Sequence, residues 1–423
     1  MRKNYLWYNF FRLTIVKNGL RLYYKKIIVK GKEKIPRKKP VLFLPNHQNS
    51  FMDAFLVVTN VKFFTYFLTR AQAFNPPLLG WYIRSLNMLP VYRVRDGLSS
   101  VTKNNAIFEE CIRYLKRNDA ILVFPEANHN LKRRIRPLSK GFTRIAFDAE
   151  VQENWNMDLH VIPVGVNYSE HRSTRNKIWV EFGDPIHMKD FKKVYEKDER
   201  EAANSLKDRV SEEMKKLTMH VTNLDHYPLC KIIIEDLEKD EIGLINPKIA
   251  NEKVKKIEEN LTPEIVEVAA SVLDFAERNK FDIKTIVGRQ RSNFIMMLLS
   301  PLYLFSWLNN LIPYQAVRKI IGTVIKDHAF DASIKFLCGL ILFPLTWLSF
   351  TLILWLSGLS SVFIGSYLVL SIFTAVLFKD ANLIVRELKE KKRIEVIKSR
   401  NPEEFKEFEN GLEKLNEFRL KIL

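Results

Sequence analysis

The chain has 423 residues, 47% of them hydrophobic, and a formal net charge of +19. That length allows one large or two ordinary domains with apolar mass to spare for a core, which excludes a disordered chain. The charge is uneven: residues 1–40 hold 13 Lys or Arg against a single Glu. A partner of negative charge is therefore expected, either nucleic acid or an anionic membrane.

In chain order, the first element is "YLWYNFFRLTIVKNGLRLYYKK", in which Trp7, Phe10, Phe11, Ile15 and Leu20 interleave with Arg12, Lys17 and Arg21. The mixture suits a helix lying in a headgroup layer. The alternative is a basic face solvated beside a core helix. Arg12 and Lys17 interrupt every apolar run, so no secretory signal peptide is expected here. Residues 1–34 are read as a basic amphipathic membrane-interface segment.

Between residues 40 and 190, within a domain taken as 35–190, short apolar runs alternate with helical patterns. "VLFLP", "FFTYFLT", "MLPVY", "AILVF", "VIPVGV" and "IWVEF" read as strands, with helices near 51–60, 77–86, 99–117 and 141–150 between them. This alternation predicts an α/β domain. Polar residues gather just beyond the strand ends: His47 in "VLFLPNHQNSFMDAF", Arg93 and Arg95 after "MLPV", Glu126 after "ILVFP", and Lys140 at the end of "LKRRIRPLSKG". Loops at strand ends are where a rigid scaffold holds chemistry. "SFMD" also fits a capping pattern in which Ser50 caps the helix and Asp53 answers it.

Together these blocks resemble the glycerolipid acyltransferase family, whose members move a fatty acyl chain from coenzyme A or acyl carrier protein to glycerol 3-phosphate or lysophosphatidate. The resemblance rests on "NHQNSFMD" at 46–53, "NMLPVYR" at 87–93, "FPEA" at 124–127 followed by "LSKGFTRIA", "VIPVGV" at 161–166 and "VEFGDPI" at 180–186. It implies a mixed sheet flanked by helices. Three departures stand out. Five residues separate His47 from Asp53 where the family usually has four, Asn87 replaces a usual Gly, and Ala127 replaces the Gly after Pro-Glu. The longer spacing is similar to a branch that includes yeast glycerol 3-phosphate and dihydroxyacetone phosphate acyltransferases, which also carries a hydrophobic hairpin near its C-terminus.

The resemblance assigns catalysis to His47 and Asp53 and acceptor binding to Arg93 and Glu126, with Arg95 and Lys140 as helpers. A histidine near its ordinary pKa can take the proton of an attacking hydroxyl, and an adjacent Asp holds its tautomer. No acyl-enzyme is required, so Ser50 is read as a cap rather than a nucleophile. Arginines would pair with a phosphorylated acceptor. No metal or redox cofactor is implied.

Residues 191–290 form a helical extension without an assigned role. Ser292–Val317 is uncharged but broken by Pro301, Asn309, Asn310 and Pro313, and reads as re-entrant or interfacial. Phe336–Phe378 is 43 residues without Asp, Glu, Lys or Arg, enough for two crossings with "SGLSS" as the turn. The membrane region is taken as 291–380, its hairpin as 336–378, and the remainder, 381–423, as a charged C-terminal helix. Lys and Arg on both sides of the hairpin place its ends and the active site on the cytoplasmic face. Cys111, Cys230 and Cys338 show neither disulfide nor metal spacing.

The expected partners are an acyl-CoA or acyl carrier protein donor, a phosphorylated glycerol acceptor and a lipid membrane. Nucleic-acid binding rests on net charge alone, which the membrane segments also explain. The competing readings are an acyltransferase acting on a lysophospholipid or amino lipid, and a catalytically silent membrane scaffold.

Overall fold

The computed structural model describes residues 4–92, 102–238, 240–287 and 300–423, without the side chains of 376–387. The described residues divide into two compact units. The first comprises Met1–His171, Asn176–His220 and Ile245–Lys248, and the second Arg172–Arg175, Val221–Leu244 and Ile249–Leu423.

Apolar runs that lack alternation belong in a sheet covered on both faces, and the first unit is built on one. Its strands are β1 (Lys26–Lys30), β2 (Val41–Pro45), β3 (Thr65–Arg70), β4 (Met88–Val91), β5 (Ala120–Leu122), β6 (His160–Tyr168), β7 (Lys177–Phe182) and β8 (Ile186–His187). They are ordered β1-β7-β6-β2-β5-β3-β4, with β8 pairing β6 off this path. β2 lies parallel to β5 and β6, whereas β6 is antiparallel to β7 and β8, so the sheet is mixed. Val41, Leu42, Phe43 and Leu44 are wholly buried at its centre. Helices Phe51–Val58, Pro77–Ser85, Asn104–Leu115 and Gly141–Gln152 fall where the 3.6-residue periodicity predicts them.

Several boundaries differ from expectation. Lys26–Lys30 lies inside the segment read as membrane-facing, yet pairs with β7 as an edge strand; the lysines at its two ends obscured the strand signal. The helical stretch before it has two faces. Tyr8, Val16 and Leu20 are buried, and buried Arg12 donates to the carbonyls of Val58, Val61 and Phe63 at 3.4, 3.1 and 2.9 Å, while Leu6 is 87% exposed. Helix Glu199–Leu217, in the region without a role, packs its end against β6. A Cβ on Gly165 would stand 1.9 Å from the Leu217 carbonyl oxygen, so only glycine permits this approach. Asn167 fastens the same corner, donating to Leu217 O at 2.9 Å and accepting from Met219 N at 3.2 Å.

In the second unit, Pro263–Arg278 and Pro402–Ile422 pack through Phe275 and Phe408, stacked at 4.9 Å. Three apolar helices follow one another: Ser300–Val324, Asp331–Leu356 and Ser361–Arg400. The uncharged run around Pro313 is thus a continuous helix over its described part, and the helix expected as the second arm of a hairpin runs on past residue 380 to Arg400. His328–Leu356 is long and apolar enough to cross a membrane, with mean hydropathy 2.1, whereas the apolar part of the next helix, Ser361–Ala375, is shorter. Polar side chains stitch the three together. Ser306 Oγ donates to Thr374 O at 2.6 Å, Trp347 Nε1 to Asn310 Oδ1 at 3.0 Å, and Tyr367 to Asn309 Oδ1 at 2.6 Å.

Candidate active site

Because β2, β5 and β6 run parallel, the segments leaving them share one edge of the sheet. Asn46 extends the β2–β6 ladder with its side chain: Oδ1 accepts from Val166 N at 2.7 Å and Nδ2 donates to Val166 O at 3.1 Å. The turn that follows is pinned on both sides. Gln48 Oε1 lies 3.1 Å from His171 Nε2, Asn49 Nδ2 donates to His171 O at 2.7 Å, and Asn130 N donates to His47 O at 3.0 Å.

Asp53, fully buried in the first turn of Phe51–Val58, organises the turn before it. Its Oδ2 accepts from Gln48 N at 2.9 Å, Asn49 N at 2.8 Å and His47 Nδ1 at 3.0 Å, and its Oδ1 accepts from Tyr168 Oη at 2.6 Å. The capping pattern expected at "SFMD" is therefore corrected. Ser50 makes no side-chain cap bond and adopts φ 47°, ψ −124°; the carboxylate of Asp53 satisfies the upstream amides instead, in the positive end of the helix dipole.

Since Asp53 Oδ2 is an acceptor, His47 carries its proton on Nδ1 and leaves a lone pair on Nε2. Among the described residues nothing bonds Nε2. The ring stacks on Phe124 at 3.8 Å and 13°. Burial pushes the His47 pKa below its ordinary 6.5, the hydrogen bond and charge of Asp53 raise it in part, and His129 and Arg136 lower it further. The imidazole is accordingly neutral at pH 7.

Glu126 sits beside it. Its Oε1 accepts from His47 N at 3.2 Å, and its Oε2 takes Arg136 Nε at 2.7 Å. Arg136 also donates to Asn128 O. Burial raises the Glu126 pKa, with Arg136 opposing it.

The structure thus brings His47, Asp53 and Glu126 together. Arg93 and Arg95 lie outside the described residues. Lys140 is exposed at the start of Gly141–Gln152, and its ammonium makes no hydrogen bond or ion pair with a described residue, so the cation on Glu126 is Arg136, not Lys140. Arg136 was one of five cations in "LKRRIRPLSKG", and nothing local distinguished it. Tyr168 was also missed; its position two residues past "VIPVGV", at the same sheet edge, was the available signal. Asn87 and Ala127, which stand where the family usually has Gly, have φ 67° and 60°. Both are left-handed positions that Gly occupies without strain, Asn tolerates and Ala occupies at a cost.

Residues 26–167 match the family model described as Acyltransferase. The chain carries an acyltransferase-family domain. Over 118 residues it is 26% identical to glycerol-3-phosphate O-acyltransferase 1 of Saccharomyces cerevisiae, an alignment covering 27% of this chain and 15% of that protein. Over 128 residues it is 27% identical to a 1-acyl-sn-glycerol-3-phosphate acyltransferase of Chlamydomonas reinhardtii, covering 30% and 36%. The match therefore spans well under half the length of either relative. The crystal structure of the 1-acyl-sn-glycerophosphate acyltransferase PlsC from Thermotoga maritima covers 51% of this chain and 84% of its own, with 24% identity and a TM-score of 0.36. The matched acyltransferase domain contains His47, Asp53 and Glu126, and closes one residue short of Tyr168.

Proposed function

We propose that the chain is a membrane-bound O-acyltransferase of phospholipid biosynthesis. It moves a fatty acyl group from an acyl thioester, acyl-CoA or acyl carrier protein, to glycerol 3-phosphate or 1-acylglycerol 3-phosphate. The observation that carries this reading is the bond between buried Asp53 and half-buried His47, with Nε2 unclaimed among the described residues.

A neutral imidazole held by a carboxylate is a general base. Nε2 takes the acceptor's hydroxyl proton as its oxygen attacks the thioester carbonyl. The C–S bond then breaks, and the imidazolium returns the proton to the departing thiolate. Asp53 fixes the ring and favours the imidazolium that forms. Phe124 holds the plane of the ring and keeps one of its faces dry. Glu126 fixes the backbone of His47 and orients Arg136, whose guanidinium suits a phosphate. Arg93, Arg95 and Lys140 are proposed as further cations for a phosphorylated acceptor.

The membrane assignment is supported by His328–Leu356, none of whose most apolar window is buried within the protein. It is preceded by Arg318, Lys319 and Lys326 and followed, beyond the next apolar stretch, by Lys391 and Lys392, a distribution that fits the cytoplasmic side. Hydrogen bonds between apolar helices, such as those of Ser306, Asn309 and Asn310, are a means of joining helices in lipid. Exposed Leu6 and Phe10 on the N-terminal helical stretch suit contact with the interface.

The test is to supply the detergent-purified chain with radiolabelled acyl-CoA, or acyl carrier protein, together with glycerol 3-phosphate, lysophosphatidate or a lysophospholipid. Labelled product from a phosphorylated glycerol acceptor is expected. Transfer only to a lysophospholipid overturns the acceptor class, and no transfer with either donor overturns the enzyme reading.

A further inference from the structure

We propose that Asp158, His160 and His187 form a binding site for one divalent transition-metal ion of the zinc class, at the end of the sheet opposite His47. Antiparallel pairing of β6 with β8 sets His160 directly across from His187, and their ring centroids are 4.3 Å apart. One ligand atom from each of the three residues lies within 4.8 Å of the others. Donors around a tetrahedral zinc ion stand about 3.4 Å apart, given bonds of about 2.0–2.2 Å, so rotations of the side chains close the site.

A second observation concerns the tautomer. His160 Nδ1 lies 2.8 Å from the carbonyl oxygen of Asp158. A carbonyl can only accept, so Nδ1 carries the proton and Nε2 keeps its lone pair. Metal-bound histidines are held in this way by a backbone carbonyl on the other nitrogen. Two imidazoles and a carboxylate favour zinc over magnesium or calcium, which prefer all-oxygen sites.

Lys39 opposes the ion. Its ammonium lies 2.7 Å from Asp158 Oδ2, and Lys189 adds positive charge nearby. The ion must displace Lys39 or take the other carboxylate oxygen, so removing that ammonium tightens binding. The site is structural. β8 is held to β6 by only two residue pairs, and an ion clips the two together. Eight residue steps of β6, about 26 Å, separate His160 from Tyr168 at the catalytic edge.

The experiment uses the full chain in detergent, stripped with chelator and freed of any histidine tag, with Co²⁺ alone and Zn²⁺ alone as probes. Expected are visible d–d absorption from one Co²⁺ per chain, displaced by Zn²⁺, a weakening of about tenfold or more in His187→Gln, and tighter binding in Lys39→Met. His187 is exposed, so the glutamine variant should fold, which a metal-free thermal melt checks. If it does not fold, Lys39→Met decides. Equal binding by wild type and His187→Gln, no saturable binding, or weaker binding in Lys39→Met overturns the proposal.

Discussion

Replacing Asp53 by Asn tests the coupling of the turn to the base. Asparagine keeps the shape but has one acceptor oxygen. That oxygen must face Gln48 N and Asn49 N, because the flipped amide would set its NH₂ against two backbone N–H groups. His47 Nδ1 then keeps a neutral acceptor, and Tyr168 Oη faces an NH₂ group in place of a carboxylate oxygen. Two charge-assisted bonds to backbone amides become ordinary ones, a loss of ~1–3 kcal/mol that leaves the variant folded with a lower melting midpoint. The larger loss is kinetic. A carboxylate ~4 Å from the imidazolium that develops during proton transfer is worth up to ~4 kcal/mol at an effective dielectric of ~20. The expected fall in kcat is ~10²–10⁴-fold. Asp53 is what raises the His47 pKa against burial, so the variant's pKa falls further and higher pH does not restore the rate. The assay is the initial rate of labelled acyl transfer from pH 6 to 9, with a thermal melt alongside. A folded variant within about threefold of wild-type kcat, or one whose rate recovers at high pH, refutes the reasoning.

The share of stability carried by three histidines should fall on mild acidification, opposed by Asp236, whose carboxyl burial pushes up to about 7. His47, His160 and His220 all have folded pKa values below 6.5, about 4 for His220. The unfolded chain therefore binds protons first, and stability held above pH 6.5 is lost as the pH drops towards the folded values. Urea midpoints of wild type and His220→Gln at pH 7.5 and 5 check this: the variant, which loses the acceptor of Ile135 N, should decline less between the two, and an equal or steeper decline in the variant contradicts it. Gly165→Ala drives a Cβ to 1.9 Å from Leu217 O and should cost ~3 kcal/mol or more in a thermal melt; an unchanged midpoint denies that close approach. Ala127→Val, with a branched side chain at φ 60°, should lose ~1–2 kcal/mol, whereas Ala127→Gly should match or slightly exceed wild type; equal midpoints for Val and Gly would show that this backbone carries no strain.

The strands that set the site were legible because their burial is two-sided. "VLFLP" and "VIPVGV" have no polar alternation to confuse, and the polar cluster after the first of them marks the end of a strand. "KIIVK" was hidden because an edge strand tolerates lysines that also suit a membrane surface. His47 and Asp53 were legible from their order, but not the means by which Asp53 serves them. Sequence spacing pointed to Ser50 as the cap, whereas the positive φ of Ser50 turns the chain so that Gln48 N and Asn49 N reach the carboxylate. Tyr168 joins Asp53 across 115 positions, and His187 reaches Asp158 and His160 only through the pairing of β6 with β8. Contacts of that kind are set by register between distant strands, which no local pattern encodes.

The central claim is that His47 is the base. The direct measurement compares wild type and His47→Ala, both shown to be folded by thermal melt, in transfer of a labelled acyl chain from thioester to glycerol 3-phosphate or lysophosphatidate. The expected result is a fall in kcat of ~10²–10⁴-fold with little change in KM. Equal turnover by the two proteins would contradict the account.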